Sequence, residues 1–268
     1  MQGIPLNERK RLGALLDDRP QTEVMAMIPQ FSQAETDNFV APPAQIPEAL
    51  GVLMFNMERG VNLPEIQEFL RDCPDIQPFD VILANELDDG CARSGNKNTA
   101  RELAQAFGLN YAWGLEFIEL VNDENAKGFH GNAVFSRWPI RRAGVIRLPE
   151  QYNWYFDRQK RIGGRLAVFA ELDVGGKPLG AVSIHLENRT HGAGRQAQMR
   201  TILEAVEPQG ETLRMIDCVD LLEEETVEGM ESHEDEHDHE DGPGLGEVVG
   251  YDEHVWTAPR LSLIHISE

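Results

Sequence analysis

Polar side chains that could support phosphoryl chemistry follow three apolar segments of the chain. They are Asn56 after segment 51–55, Asn85 and Glu86 after segment 79–84, and His185 after segment 178–184. A carboxylate can hold a hard divalent ion such as Mg²⁺, an amide can fix a substrate by hydrogen bonds, and an imidazole can donate a proton. Each residue taken alone has a simpler interpretation, as a turn-forming Asn, a solvated Glu or a hydrogen-bonded His.

The elements that must position these residues are strands that alternate with a few helices. The helices are predicted at 6–17, 63–73, 98–108 and 195–206, and the strands at 51–55, 79–84, 111–120, 132–136, 142–148, 165–174 and 178–186. Gly175 and Gly176 predict a hairpin between the last two strands. This order favours an α/β layered sandwich, in which strand ends meet at one rim.

Composition excludes several classes of protein. Hydrophobic residues make up 41% of the 268 residues, which is typical of a globular chain, and no apolar run approaches the length of a membrane span. The start of the chain has no apolar segment typical of a signal peptide. Of the net charge of −22, residues 211–268 carry −16, with 18 acidic and 2 basic side chains. That shift predicts a boundary near residue 210, and no basic patch points to a nucleic acid.

Four short blocks in order along the chain resemble the endonuclease/exonuclease/phosphatase superfamily, which has the deoxyribonuclease-I-like fold. They are MFNMERG (54–60), VILANELD (81–88), GNAVFSRWPI (131–140) and AVSIHLENRT (181–190), and the resemblance covers about residues 50–208. It implies a four-layer α/β sandwich, two β-sheets face to face with helices outside. It also implies Mg²⁺-dependent cleavage of phosphate esters.

The resemblance also implies roles for single residues. Catalytic roles fall to Asn56, Asn132 and His185, the Mg²⁺ ligand is Glu86, and substrate contacts fall to Arg137 and Asn188. A surface ion pair is an equally good interpretation of Arg137. The substrate could be a nucleic acid, a phospholipid or a small phosphate, because this fold serves all of them. No partner protein is inferred.

The sequence departs from the superfamily after residue 208. The Gly-Asp-x-Asn block and the later Asp-His pair, whose histidine is the base, are both missing. The stretch at 212–219 could be a strand; within it Asp217 follows the apolar run TLRMI (212–216), but Cys218 and Val219 come next, where the Asn is expected. We therefore expect little or no hydrolytic activity. We also expect the apolar side chains of the strands at 165–174 and 178–186 to lack part of their cover.

An acidic, His-rich stretch at 221–242 contains His233, His237 and His239, and His254 follows in YDEHVWTAP. Imidazole and carboxylate groups at this spacing allow weak Zn²⁺ capture, although a solvated charge run explains the stretch equally well. Residues 212–260 resemble a fragment of the zinc- or manganese-binding lipoproteins of ABC importers, with Ala258 in place of the usual Ser.

The tail at 261–268, LSLIHISE, resembles a translated sequencing adapter; an apolar strand is the alternative. The sequence thus predicts four segments: a helical and loop extension at 1–50, an incomplete phosphoesterase-like domain at 51–208, the acidic segment at 209–260 and the tail at 261–268. A chimera joined near residue 210 accounts for all four. The alternative functions are a zinc-binding importer component, which rests on the acidic segment at 209–260 alone, and a non-functional reading frame.

Overall fold

A computed structural model describes residues 1–210, 214–220 and 260–265, and it describes side chains up to residue 207. The helices are α1 (Leu6–Ala14), α2 (Gln21–Ala26), α3 (Leu63–Asp72), α4 (Thr99–Phe107) and α5 (Gly192–Gly210). The strands are β1 (Ala34–Asp37), β2 (Ala49–Arg59), β3 (Val81–Asp89), β4 (Asn110–Glu119), β5 (Phe129–Ser136), β6 (Ile140–Arg147), β7 (Arg161–Gly163), β8 (Leu166–Val174), β9 (Lys177–His185), β10 (Arg214–Asp220) and β11 (Arg260–His265).

The described strands form two sheets. The first sheet has the order β1-β4-β5-β3-β2-β11, and β7 also pairs with β4. The second sheet has the order β10-β9-β8-β6. Strands β2 and β3 are parallel, as are β9 and β10, and the other pairs are antiparallel. The parallel pair β2/β3 brings the ends of the first two apolar segments to the same edge of the sheet.

Local sequence explains the bounds of α4 and the turn between β8 and β9. Asn98 caps α4 by accepting a 2.8 Å hydrogen bond from the Arg101 backbone N–H, and Gly108 ends the helix at φ +60°. Gly175 and Gly176, at φ +60° and +87°, form the tight turn between β8 and β9. The helix and the hairpin agree with the sequence prediction.

Three apolar layers hold the four layers of the sandwich together. The layer between helices α1–α4 and the first sheet includes Leu12, Val24, Ile66, Leu70, Ile82 and Leu103. The layer between the two sheets includes Leu50, Val52, Val81, Leu83, Ala112, Val134, Leu166 and Val168. The layer under α5 includes Phe169, Val182, Ile184 and Ile202. The predicted four-layer α/β sandwich is therefore confirmed.

Two predictions about this framework need correction. The apolar residues Leu166, Val168, Phe169, Val182 and Ile184 do not lack cover, because each is at most 9% exposed. They lie on two faces of the second sheet, so the first sheet covers Leu166 and Val168 while α5 covers the other three. The polar residues Asn56 and Glu86 lie inside β2 and β3 rather than after them, because backbone pairing continues where the apolar pattern stops.

Segments on both sides of the predicted domain at 51–208 add strands to the two sheets. Within residues 1–50, β1 pairs with β4 and residues such as Leu16 and Phe31 enter the core under the first sheet. The strand predicted at 212–219 forms β10, and β11 pairs with β2. No helix in the described ranges is long and apolar enough to cross a membrane.

Candidate active site at the polar end of the two sheets

The space between the two sheets changes from apolar to polar at one end. Every second residue of a strand faces this space, so the apolar series along β3, β4, β5 and β9 continue with polar residues. The polar residues are Asn85, Glu116, His130, Asn132, Ser183 and His185, each at most 2% exposed. Buried polar and charged groups require partners, so this end is a network rather than a core.

Asn85 joins the two sheets at this end. Its side-chain amide donates to the backbone oxygen of Ile184 at 3.1 Å, and its Oδ1 accepts from the Ser183 hydroxyl at 3.1 Å. Both partners lie on β9, whereas Asn85 lies on β3. This cross-sheet connection fixes the distance between the residue that follows on β3, Glu86, and the residue that ends β9, His185.

Glu86 lies at a bulge in β3. Its φ angle is +58°, in the left-handed region that non-glycine residues seldom occupy, and the pairing of β3 with β5 shifts between Ala84 and Leu87. The Glu86 backbone N–H donates a 3.0 Å hydrogen bond to Oδ1 of Asn132. Such a conformation costs of order 1–3 kcal/mol and is characteristic of functional sites. Its side chain is 23% exposed, so the bulge turns a carboxylate toward the rim.

His185 lies between two carboxylates. Its Nδ1 is 3.3 Å from Glu116, and its Nε2 is 3.8 Å from Oε1 of Glu86. Burial raises the pKa of Glu116, but His185 and Arg165 outweigh burial and hold that pKa well below its ordinary value. Burial likewise raises the pKa of Glu86, and His185 with other nearby cations lowers it overall. Both carboxylates are therefore ionised at neutral pH.

Arg165 connects this histidine to the rim. Its Nη1 lies 3.1 Å from Oε1 of Glu116 and 2.9 Å from Nδ1 of His185, and its Nη2 donates to Oδ1 of Asn188 at 3.3 Å. An ionised Glu116 can only accept, so its contact with Nδ1 favours the tautomer of His185 that carries its proton on Nδ1. Nη1 of Arg165 also lies 3.2 Å from Nε2, to which it can donate. Nε2 then faces Glu86 and the rim.

Four of the predicted site residues meet here. Glu86, Asn132 and His185 form the contacts described above, and Asn188 is held by Arg165. Asn56 is close as well, because it pairs in register with Asn85 and its Oδ1 accepts a 3.0 Å hydrogen bond from the Glu58 N–H. The roles assigned to these residues remain predictions.

Arg137 does not join this group. Strand β5 runs antiparallel to β3, so Asn132 lies near Glu86 while Ser136 lies opposite Val81, at the other end of the sheet. Five residues of extended chain, about 16 Å, separate Asn132 from Arg137. Nε of Arg137 lies 3.8 Å from Oδ1 of Asp80, as the surface ion-pair interpretation requires.

The sequence analysis missed Glu116, His130 and Arg165. Glu116 faces the same way as Ala112 and Gly114 of β4. A carboxylate among apolar strand residues could have indicated that it belongs to a site. His130 precedes Asn132 by two residues on β5 and therefore faces the same way. Nothing local marks Arg165, whose contacts all lie on other segments.

The donor set at Glu86 suits Mg²⁺ better than a metal held by several side chains. Within the described residues, no group of three or more His, Cys, Asp or Glu side chains is arranged around a common point. Mg²⁺ retains several waters and often takes one or two carboxylates together with substrate phosphate. The partly exposed, ionised carboxylate of Glu86 fits that mode of binding.

Comparison with known proteins gives similarity at the level of fold. No family model and no curated protein matches the chain. The chain is similar to the human Nocturnin catalytic domain with bound sulfate anion, with 19% identity, a TM-score of 0.49 and coverage of 74% of this chain and 70% of that one. It is also similar to an endonuclease/exonuclease/phosphatase family protein from Bacteroides thetaiotaomicron, with 16% identity, a TM-score of 0.44 and coverage of 66% and 64%.

A third similar structure is sphingomyelinase C from Streptomyces griseocarneus, with 17% identity, a TM-score of 0.38 and coverage of 61% and 60%. The chain thus spans between 60% and 70% of the length of these three structures. At these identities the likeness concerns the arrangement of sheets and helices and assigns no activity.

The predicted zinc ligands His233, His237, His239 and His254 lie outside the described residues. The resemblance of 212–260 to zinc-binding lipoproteins therefore stays a prediction. The adapter-like origin of 261–268 also stays a prediction, although residues 260–265 form β11.

Proposed function

We propose that the polar end of the two sheets binds phosphate esters and supports their Mg²⁺-dependent hydrolysis. The observation that carries the proposal is the position of His185, whose Nδ1 faces the buried Glu116 while its Nε2 faces the partly exposed Glu86. A carboxylate behind an imidazole fixes its orientation and stabilises its charged form, which suits it to contact a phosphoryl oxygen.

Each residue of the site has a separate proposed role. Glu86 would hold Mg²⁺, which neutralises phosphate charge and polarises a phosphorus–oxygen bond when it is bound. When it carries a proton on Nε2 as well as on Nδ1, His185 would donate a hydrogen bond to a phosphoryl oxygen and support the negative charge that develops there. Asn132 holds Glu86 in its bulge, and Arg165 holds Asn188 at the rim.

Asn132 offers a second polar contact. Its Oδ1 is used by Glu86, but its buried Nδ2 has no hydrogen-bond partner among the described residues. A buried donor without a partner is costly and is commonly satisfied by a ligand or by water. An oxygen of the substrate would suit it.

Turnover by this sequence should be slow. The chain lacks the Gly-Asp-x-Asn block and the Asp-His pair that the resemblance leads one to expect, so no residue is assigned to activate water. A positioned acid or base typically contributes 10²–10⁴-fold to the rate. The site should therefore bind a phosphate ester and Mg²⁺ more readily than it hydrolyses the ester.

Binding and turnover are best tested separately on the full chain. Mg²⁺-dependent binding of inorganic phosphate would be measured by calorimetry, and hydrolysis of bis(4-nitrophenyl) phosphate by absorbance. We expect Glu86→Gln to weaken Mg²⁺-dependent phosphate binding and Glu65→Gln, an exposed change on α3, to leave it unchanged. Equal binding by the wild type and Glu86→Gln would contradict the proposed site.

A further inference from the structure

A second buried histidine, His130, also lies near Glu116. Nε2 of His130 is 3.8 Å from Oε2 of Glu116, and the same oxygen lies 3.3 Å from Nδ1 of His185. The other oxygen, Oε1, contacts Arg165 at 3.1 Å. Nδ1 of His185 is also 3.3 Å from Oε1, so both oxygens of Glu116 lie beside His185, and Oε2 also lies near His130.

The His130 ring is itself held firmly. Its Nδ1 lies 3.0 Å from Oδ1 of Asp88, and its ring stacks on Phe117 with centroids 6.2 Å apart and planes 21° from parallel. Asp88 is fixed in turn by two hydrogen bonds from Arg93, at 2.7 and 2.8 Å, and by one from Ser94 at 3.1 Å. Asp88 is fully buried, so few alternative positions are open to it.

These contacts fix the direction in which His130 presents its Nε2. A ring that is anchored at Nδ1 and stacked on one face can present Nε2 in only one direction, and here that direction is Glu116. A Glu side chain has three rotatable bonds, and Arg165 restrains only one of its oxygens. Because both oxygens lie 3.3 Å from Nδ1 of His185, the plane of the carboxylate is fixed only if Oε2 is restrained as well.

We propose that His130, anchored on Asp88, is a positioning residue that holds Oε2 of Glu116 and thereby fixes the orientation of His185. The inference rests on the proposed role of His185 in contacting phosphate, but the geometry behind it does not depend on turnover. The two ring nitrogens of His130 face Asp88 and Glu116, so it acts through Glu116.

Two nearly isosteric substitutions separate this role from simple support of Asp88. His130→Gln places an amide nitrogen near the position of Nε2 and keeps a donor toward Glu116. His130→Asn places its amide nitrogen near Nδ1 and keeps a donor toward Asp88. His130→Phe keeps the stacked ring and removes both ring nitrogens.

The first readout is the imidazole N–H spectrum of the ¹⁵N-labelled full chain without substrate or metal. We expect a slowly exchanging Nδ1–H signal from His185 in the wild type and in His130→Gln. The same signal should be lost in His130→Asn and His130→Phe. Its absence in the wild type would overturn the proposal without any variant, so the test survives if a variant fails to fold.

The second readout is hydrolysis of bis(4-nitrophenyl) phosphate. Loss of a supporting partner of this kind typically costs about 10- to 100-fold in activity. We expect kcat to fall in His130→Asn with KM nearly unchanged, and His130→Gln to recover most of the loss. In the spectra, a His185 Nδ1–H signal that is kept in His130→Asn and lost in His130→Gln would show that His130 only supports Asp88.

The two readouts distinguish failure of this inference from failure of the proposed function. The expected spectra combined with no Glu86-dependent hydrolysis would leave the positioning role intact and refute the phosphoesterase role. Glu86-dependent hydrolysis with no change on substitution of His130 would refute the positioning role alone.

Discussion

The backbone N–H of Glu86 donates a 3.0 Å hydrogen bond to the side-chain oxygen of Asn132, across the bulge between β3 and β5. The two residues are 46 positions apart in the chain; Asn132 is fully buried and the Glu86 side chain is partly exposed. The bond satisfies an N–H group that the bulge removes from the ladder. It also holds Glu86 at φ +58°, the conformation that turns its carboxylate toward the rim.

Replacing Asn132 by Ala should therefore destabilise the protein and disturb the site. The change leaves a buried N–H group unsatisfied, at a cost of about 1–3 kcal/mol in the free energy of unfolding. Asn122→Ala is a matched control, because exposed Asn122 also accepts a backbone N–H bond, from Glu124 at 2.8 Å. Urea unfolding of both variants would measure the difference, and equal losses would contradict the role given to Asn132.

Sequence motifs predicted the rim better than the interior of the site. Glu86, Asn132 and His185 lie in sequence blocks that resemble a known family. The order and direction of their strands bring them to the polar end of the two sheets. Glu116 and His130 were missed, because a buried charge is tolerated only with its partners, and Arg165, which pairs with Glu116, lies 49 positions further along the chain. Arg137 was placed in the site by its motif alone, since a block of consecutive strand residues spans both ends of a sheet.

Glu86 should account for most of the affinity for Mg²⁺. Substitution by Gln removes the negative charge but keeps the size, so we expect Mg²⁺ binding to weaken at least about tenfold. Because the side chain is partly exposed, the melting temperature should change little in the absence of metal. Calorimetric titration with Mg²⁺ checks the first expectation and a thermal melt the second. Unchanged affinity would place the ion elsewhere.

Asp88 should make the protein sensitive to acid. Burial raises the pKa of this carboxyl, but Arg93 and His130 outweigh burial and lower it from 3.8 to about 2. Because the folded-state pKa is the lower one, the stabilisation is fully present above the unfolded-state value. It is lost as the pH falls from about 4 toward 2, and it amounts to about 2 kcal/mol.

Asp88→Asn should thus reduce the dependence of stability on pH in that range. Asp75→Asn is the control, because Asp75 is exposed and no ion pair is found for it among the described residues. Urea midpoints between pH 2 and pH 6 would measure both variants. A slope for Asp88→Asn equal to that of the wild type would show that other carboxylates cause the acid sensitivity.

The distance between the two sheets depends on Gly114 of β4. A Cβ atom at this position would lie 2.7 Å from Cγ1 of Val145 and 3.0 Å from Cγ2 of Val168, both on the opposite sheet. β-Branched side chains have few alternative rotamers, so the sheets must separate to make room. Gly114→Ala should therefore lower the free energy of unfolding by about 1–3 kcal/mol.

Gly144 of β6 provides a matched control, because a Cβ atom there meets nothing within 4 Å and its φ is not positive. Gly144→Ala should be neutral or slightly stabilising, since Ala restricts the unfolded chain more than Gly does. Gly114 is two residues from Glu116, so a change in sheet separation should also alter the contact between Glu116 and His185. We expect the His185 Nδ1–H signal to weaken in Gly114→Ala and to persist in Gly144→Ala. Equal stability of the two variants would mean that the two sheets can accommodate a Cβ atom at Gly114 without separating, which would contradict this prediction.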